Sequence, residues 1–88
     1  MIKDKNKDIR PLNEKGHSHG YWESYYDNGN LWYKGNYKNG KRVGYWEYYY
    51  TNGNLSYKGN WNNGKRHGYW EWYWYWFNGK LRFKEYYI

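Results

Sequence analysis

Eighty-eight residues make one domain, and a chain of this size buries only about 60% of the surface its unfolded form exposes, so its contacts must be dense. No cysteine is present, which excludes a disulfide framework and thiolate metal sites, and no apolar run approaches the ~18 residues of a spanning helix. The formal net charge of +7 points either to solubility or to an anionic partner, while 8 Trp, 15 Tyr and 2 Phe supply the contacts that the few aliphatic residues cannot.

In chain order, residues 1–15 form a charged segment that matches no later part of the chain. Its start, MIKDKNKDIRPL, lacks the apolar centre of a signal peptide. A flexible segment and a cytoplasmic location are expected. From residue 16 to residue 88 the chain is one unit copied in tandem. Gly-Tyr-Trp-Glu occurs at Gly20–Glu23, Gly44–Glu47 and Gly68–Glu71, at a spacing of 24 residues. Repetition at a fixed period makes a repeated surface, rather than a single active site, the object to find.

Each copy continues with an aromatic run, then Asn-Gly (Asn28-Gly29, Asn52-Gly53, Asn78-Gly79), then Leu31, Leu55 or Leu81. Asn-Gly between alternating runs predicts a type I′ hairpin, whose two central residues need positive φ. In the second repeat this turn sets Tyr50 opposite Leu55, Tyr48 opposite Tyr57, Glu47 opposite Lys58 and Trp46 opposite Gly59. Trp22 falls opposite Gly35 in the same way, and a tryptophan facing a glycine can cover its bare backbone. In the third repeat ten residues, instead of eight, separate the glycine from the Asn-Gly pair. That insertion keeps strand parity, so Trp72, Trp74 and Trp76 are expected on one face, opposite Glu85, Phe83 and Leu81. The expected fold is all-β: a single-layer, twisted antiparallel meander of about six strands with an aromatic ladder.

Tyr33-Lys34-Gly35-Asn36-Tyr37 with Asn39-Gly40-Lys41-Arg42-Val43-Gly44, and Tyr57 to Trp61 with Asn63 to Gly68, resemble MORN repeats. The Gly-Tyr-Trp-Glu segments are similar to a bacterial variant of that family whose members are often labelled antitoxin-like. The resemblance implies a hairpin-repeat scaffold, and it implies a role in protein scaffolding, lipid binding or inhibition of a partner. Glu85 stands where the family pattern has glycine, so the last repeat is expected to act as a cap.

Catalytic and metal sites are the weaker readings. Glu23, Glu47 and Glu71 would stand two strands apart, about 9.6 Å, near the carboxyl separation of inverting glycosidases, but Lys34 and Lys58 opposite two of them make surface ion pairs the better reading. His17 and His19 are four strands from His67 and cannot share one zinc ion in a monomer. No enzyme activity and no cofactor are expected.

The cations are better organised. Lys41-Arg42 and Lys65-Arg66 fall in equivalent turns on one edge of the sheet. These four are the expected electrostatic partner site, and Tyr25, Trp32, Tyr49, Trp72, Trp74 and Trp76 are the expected aromatic contacts for binding or assembly. A protein partner is the first reading. An anionic small molecule such as a nucleotide is the second, and phospholipid headgroups or nucleic acid follow. The lengthened third hairpin, rich in exposed rings, is expected to carry a homo-oligomer contact.

Overall fold

Alternation of ring and polar residues at period two gives every copy two strands with two distinct faces. The computed structural model describes residues 7–88. Six strands, β1 (Gly20–Tyr25), β2 (Leu31–Lys38), β3 (Lys41–Tyr49), β4 (Leu55–Asn62), β5 (Lys65–Tyr73) and β6 (Leu81–Tyr87), form one antiparallel sheet in chain order. The molecule measures 41 × 40 × 11 Å. Stacked sheets lie about 10 Å apart before their outer side chains are counted, so this thickness admits one layer only.

A single layer has no second sheet to bury a core against, and the chain solves this with glycine. Trp46 and Trp70 are 0% exposed. An added Cβ on Gly35 would lie 2.1 Å from the Trp46 ring, and one on Gly59 would lie 2.1 Å from the Trp70 ring. Each indole therefore lies flat on bare backbone, where flanking rings close over it. Its Nε1–H donates to the carbonyl of Asn36 (3.1 Å) or Asn60 (3.0 Å). The register does place Trp22 opposite Gly35 and Trp46 opposite Gly59, as expected. The covering tryptophan, however, comes from the following hairpin: a bulge between Lys34 and Asn36, and its copy between Lys58 and Asn60, lets the next strand's indole in.

Two kinds of Asn-Gly turn alternate along the sheet. Asn39 (φ 49) with Gly40 (φ 84), and Asn63 (φ 52) with Gly64 (φ 85), have the paired positive φ of a type I′ turn. The expected type I′ turn at Asn52-Gly53 is instead a three-residue loop. Gly53 N donates to Tyr50 O, Tyr50 N donates to Asn54 O, and only Gly53 has positive φ. The extra loop residue shifts the register, so Tyr49, rather than Tyr50, partners Leu55. Asn28-Gly29 is built the same way. These wider turns lock to one another, because Asn28 and Asn30 both donate to Thr51 O while Asn52 and Asn54 both donate to Tyr75 O.

The third hairpin also departs from expectation. Its added residues enter the loop rather than the strands: β5 ends at Tyr73, Trp72 faces Phe83, and Trp70 faces Glu85. Among the described residues no tryptophan lies on position 85 from a neighbouring hairpin, and a side chain stands there in place of glycine.

Residues 1–6 of the segment expected to be flexible lie outside the described residues. Residues 7–15 run back along β1. Ile9 and Glu23 exchange backbone hydrogen bonds of 2.9 and 3.0 Å, and Leu12 bridges Ser18. Ile9 thus stands to Glu23 as Lys34 stands to Glu47, which puts Arg10 in the place of Gly35. The Arg10 guanidinium lies over the Trp22 ring (5.9 Å), and Trp22 Nε1–H reaches Pro11 O (3.0 Å). Arg10 carries a side chain where the later copies have none, and Trp22 is correspondingly only half-buried.

Candidate functional site

The two faces of the sheet carry different chemistry. On the ring face a continuous array runs from Tyr33 through Trp46, Tyr48, Tyr57, Trp70 and Trp72 to Phe83, with centroids 4.2–6.2 Å apart. Two arginines lie on it. Arg42 approaches Trp61, Trp46 and Tyr48 at 5.0, 5.5 and 6.0 Å, and Arg66 approaches Trp70, Trp72, Tyr87 and Trp61 at 5.2, 5.6, 5.7 and 6.0 Å. The ring quadrupole attracts a guanidinium, more strongly where water is displaced. Among the described residues neither arginine has a carboxylate partner. Burial pushes the Tyr48 hydroxyl well above its ordinary pKa, with the Arg42 charge opposing.

The opposite face repeats a tyrosine–glutamate–tyrosine clamp. Tyr21 and Tyr25 donate to the two oxygens of Glu23 (2.6 and 2.7 Å), Tyr45 and Tyr49 to those of Glu47 (2.8 Å each), and Tyr69 and Tyr73 to those of Glu71. The hydroxyls hold the Glu23 and Glu71 carboxyls below the ordinary range. At Glu47 burial acts in the other direction, but Tyr49, Tyr45 and Lys34 outweigh it and the net shift is again downward. Burial, reinforced by the same bonds, pushes Tyr49 and Tyr73 up to about 12. Lys34 pairs with Glu47 at 3.3 Å and Lys58 with Glu71 at 3.5 Å. The in-hairpin pairs Glu23–Lys34 and Glu47–Lys58 exist in the register, yet each ammonium turns to the glutamate of the next hairpin. With every oxygen engaged, these carboxylates serve as fixed acceptors. Tyr-x-Glu-x-Tyr was readable from period two alone, since all three side chains must share a face.

The four expected cations divide by position. Lys41 and Lys65 stand exposed at the type I′ turns and line a cleft of about 440 Å³ with Tyr37 and Arg42. Arg42 and Arg66 instead lie on the ring face. The expected aromatic contacts also separate. Tyr25 and Tyr49 are clamp residues, and Trp72 belongs to the ring face. Trp32 stacks on Tyr26 (5.4 Å) at the wider-turn edge. Trp74 and Trp76 lie beyond β5, with Arg82 over Trp74 (4.8 Å) and Trp76 82% exposed. His19 is placed by the turn, where its Nδ1 accepts from Asn39 N at 3.1 Å. Among the described residues no helix is long and apolar enough to cross a membrane.

Strand order, twin turns and repeated faces define a tandem β-hairpin repeat protein. The chain belongs to the MORN repeat family: the MORN repeat variant matches residues 18–39, 42–63 and 66–88. Repeats of this family are generally binding modules without catalytic activity. No curated protein and no solved structure matches the chain.

Proposed function

We propose that this protein is a non-enzymatic binding module that engages a protein partner through the ring face and the basic turn edge, acting as an inhibitor or antitoxin-like factor. The observation that carries the reading is the placement of Arg42 and Arg66, which join an aromatic surface to the exposed Lys41 and Lys65 without a carboxylate to neutralise them among the described residues. Arginine and large aromatic side chains are the groups most enriched at interface hot spots. Trp72 is the central ring contact. Tyr25, Trp32 and Tyr49 offer a secondary surface, and Trp74 and Trp76 serve self-association. A cytoplasmic location belongs to the same reading.

The test is capture from the native host with mass analysis of both proteins and released small molecules, using the parent chain and a Lys41→Ser/Lys65→Ser variant that leaves the rings intact. A protein recovered in stoichiometric amount by the parent and depleted with the variant supports the reading. A nucleotide released without any stoichiometric protein replaces it with small-molecule sequestration.

A further inference from the structure

We propose that Arg42, Tyr48 and Trp61 form a site for a single carboxylate on the ring face, presented by the partner; the proposal rests on the reading of that face as a binding surface. Arg42 Nε, Tyr48 Oη and Trp61 Nε1 are all sealed from solvent, and none has a hydrogen-bond partner. Tyr48 as a residue is only 7% exposed. Buried polar groups are normally satisfied, and an unsatisfied one calls for a reason.

The three groups belong together, since the Arg42 guanidinium lies 5.0 Å from the Trp61 ring and 6.0 Å from the Tyr48 ring. All three can donate, and only the Tyr48 oxygen, which Trp61 approaches, can also accept, so three hydrogens share one acceptor. One water would bring two further hydrogens, with only the Tyr48 oxygen to receive them. A carboxylate brings acceptor oxygens only and also neutralises Arg42.

Packing alone does not demand this trio. The third repeat has Arg66, Trp72 and Tyr87 in the three places, and there Arg66 Nη1 donates to Tyr87 Oη at 3.3 Å; the first has Ser18, Ser24 and Tyr37. Both repeats pair their strands without it, and among the described residues the sealed, unpartnered atoms belong to the central repeat alone. Carboxylate is favoured over phosphate on two grounds. The surroundings are flat, with Trp46 and Tyr48 stacked at 22°, and suit a planar group facing a planar guanidinium. Desolvation also penalises a doubly charged phosphate more than a single negative charge. Of the three, Arg42 also lines the cleft between the type I′ turns, which Lys41 and Lys65 flank.

The test is a titration of the full ¹⁵N-labelled chain with formate at constant ionic strength, followed through the indole N–H of Trp61, assigned with Trp61→Phe. A saturable shift is expected, with half-saturation no tighter than about 1 mM for so small a ligand. Chloride should give none, and inorganic phosphate should bind more weakly. Tyr48→Phe keeps the ring and removes one donor, and should weaken formate by about tenfold; unchanged positions of the other indole resonances show that the variant is folded. If it does not fold, Arg42→Lys, which keeps the charge and removes Nε–H, takes its place with the same expected loss. No saturable shift in the parent, tighter binding of phosphate, or unaltered affinity in the folded donor variant overturns the site. Such a failure leaves partner capture untouched, whereas failed capture with a clear formate shift removes the protein partner and keeps the site.

Discussion

Gly59→Ala should be among the most damaging small substitutions in this chain. Gly59 lies outside the left-handed region, so backbone strain is not the cause; the new Cβ would stand 2.1 Å from Trp70 Cδ2 and 2.3 Å from Cε2. The indole must lift. A tryptophan buries 150–250 Å², worth about 4–6 kcal/mol at ~25 cal/mol/Å² as an upper bound, and its hydrogen bond to Asn60 O adds about 1 kcal/mol. Partial relaxation brings the expected cost to about 3 kcal/mol, against a total stability of roughly 4–13 kcal/mol for a chain of this length. With a urea slope of about 1 kcal/mol/M, the unfolding midpoint should fall by about 3 M. Glu85→Ala, at the equivalent position with no indole above it, should stay within about 0.5 kcal/mol of the parent. A Gly59→Ala midpoint equal to or above the parent's would refute the reasoning, because without the indole the exchange should stabilise by about 0.4–1 kcal/mol through the unfolded chain.

Gly53→Val should cost at least 1–2 kcal/mol, since φ of 93° is strained for a side-chain-bearing residue; an unaltered urea midpoint would count against the wider turn. The clamped glutamates have lowered folded pKa values, so their contribution is fully present above the unfolded value of about 4.3 and is lost as pH falls through the folded values. Tyr49 and Tyr73 are raised, so theirs is full below about pH 10 and disappears as pH rises through about 12. Urea midpoints across pH should therefore decline at both ends, and a flat alkaline limb would contradict the clamps. The exposed rings of Trp76 and Phe77 predict more than one chain's mass by light scattering, with Trp74→Ser and Trp76→Ser shifting it downward; a monomeric parent would remove self-association.

The repeat, the six strands and the in-hairpin register were legible because period two and a 24-residue copy leave few alternatives: Trp46 had to face Gly59 and Glu47 had to face Lys58. What could not be read was the contact between hairpins. Which indole lies on Gly35, and which glutamate Lys34 chooses, depend on the bulge in the β2–β3 pairing, and the flanking letters do not announce it. The two Asn-Gly turns look alike in sequence but differ by one loop residue, which decides whether asparagine takes positive φ. The N-terminal strand mimic was hidden for a related reason, since Arg10 and Pro11 carry none of the repeat's letters although the backbone of residues 7–13 follows its path. The cations at 41, 42, 65 and 66 were found by equivalence, yet the length of arginine carries its charge onto the rings while lysine stays at the turn.

The central claim is that the ring face is the main contact surface and the clamp face a secondary one. With a captured partner in hand, calorimetry on two double variants tests it most directly: Arg66→Ser/Trp72→Ser on the ring face, and Tyr21→Phe/Tyr69→Phe on the clamp face. The account predicts a loss of tenfold or more for the first, as for interface hot spots, and parent-like affinity for the second. Parent-like affinity for the first pair with a tenfold loss for the second would contradict it.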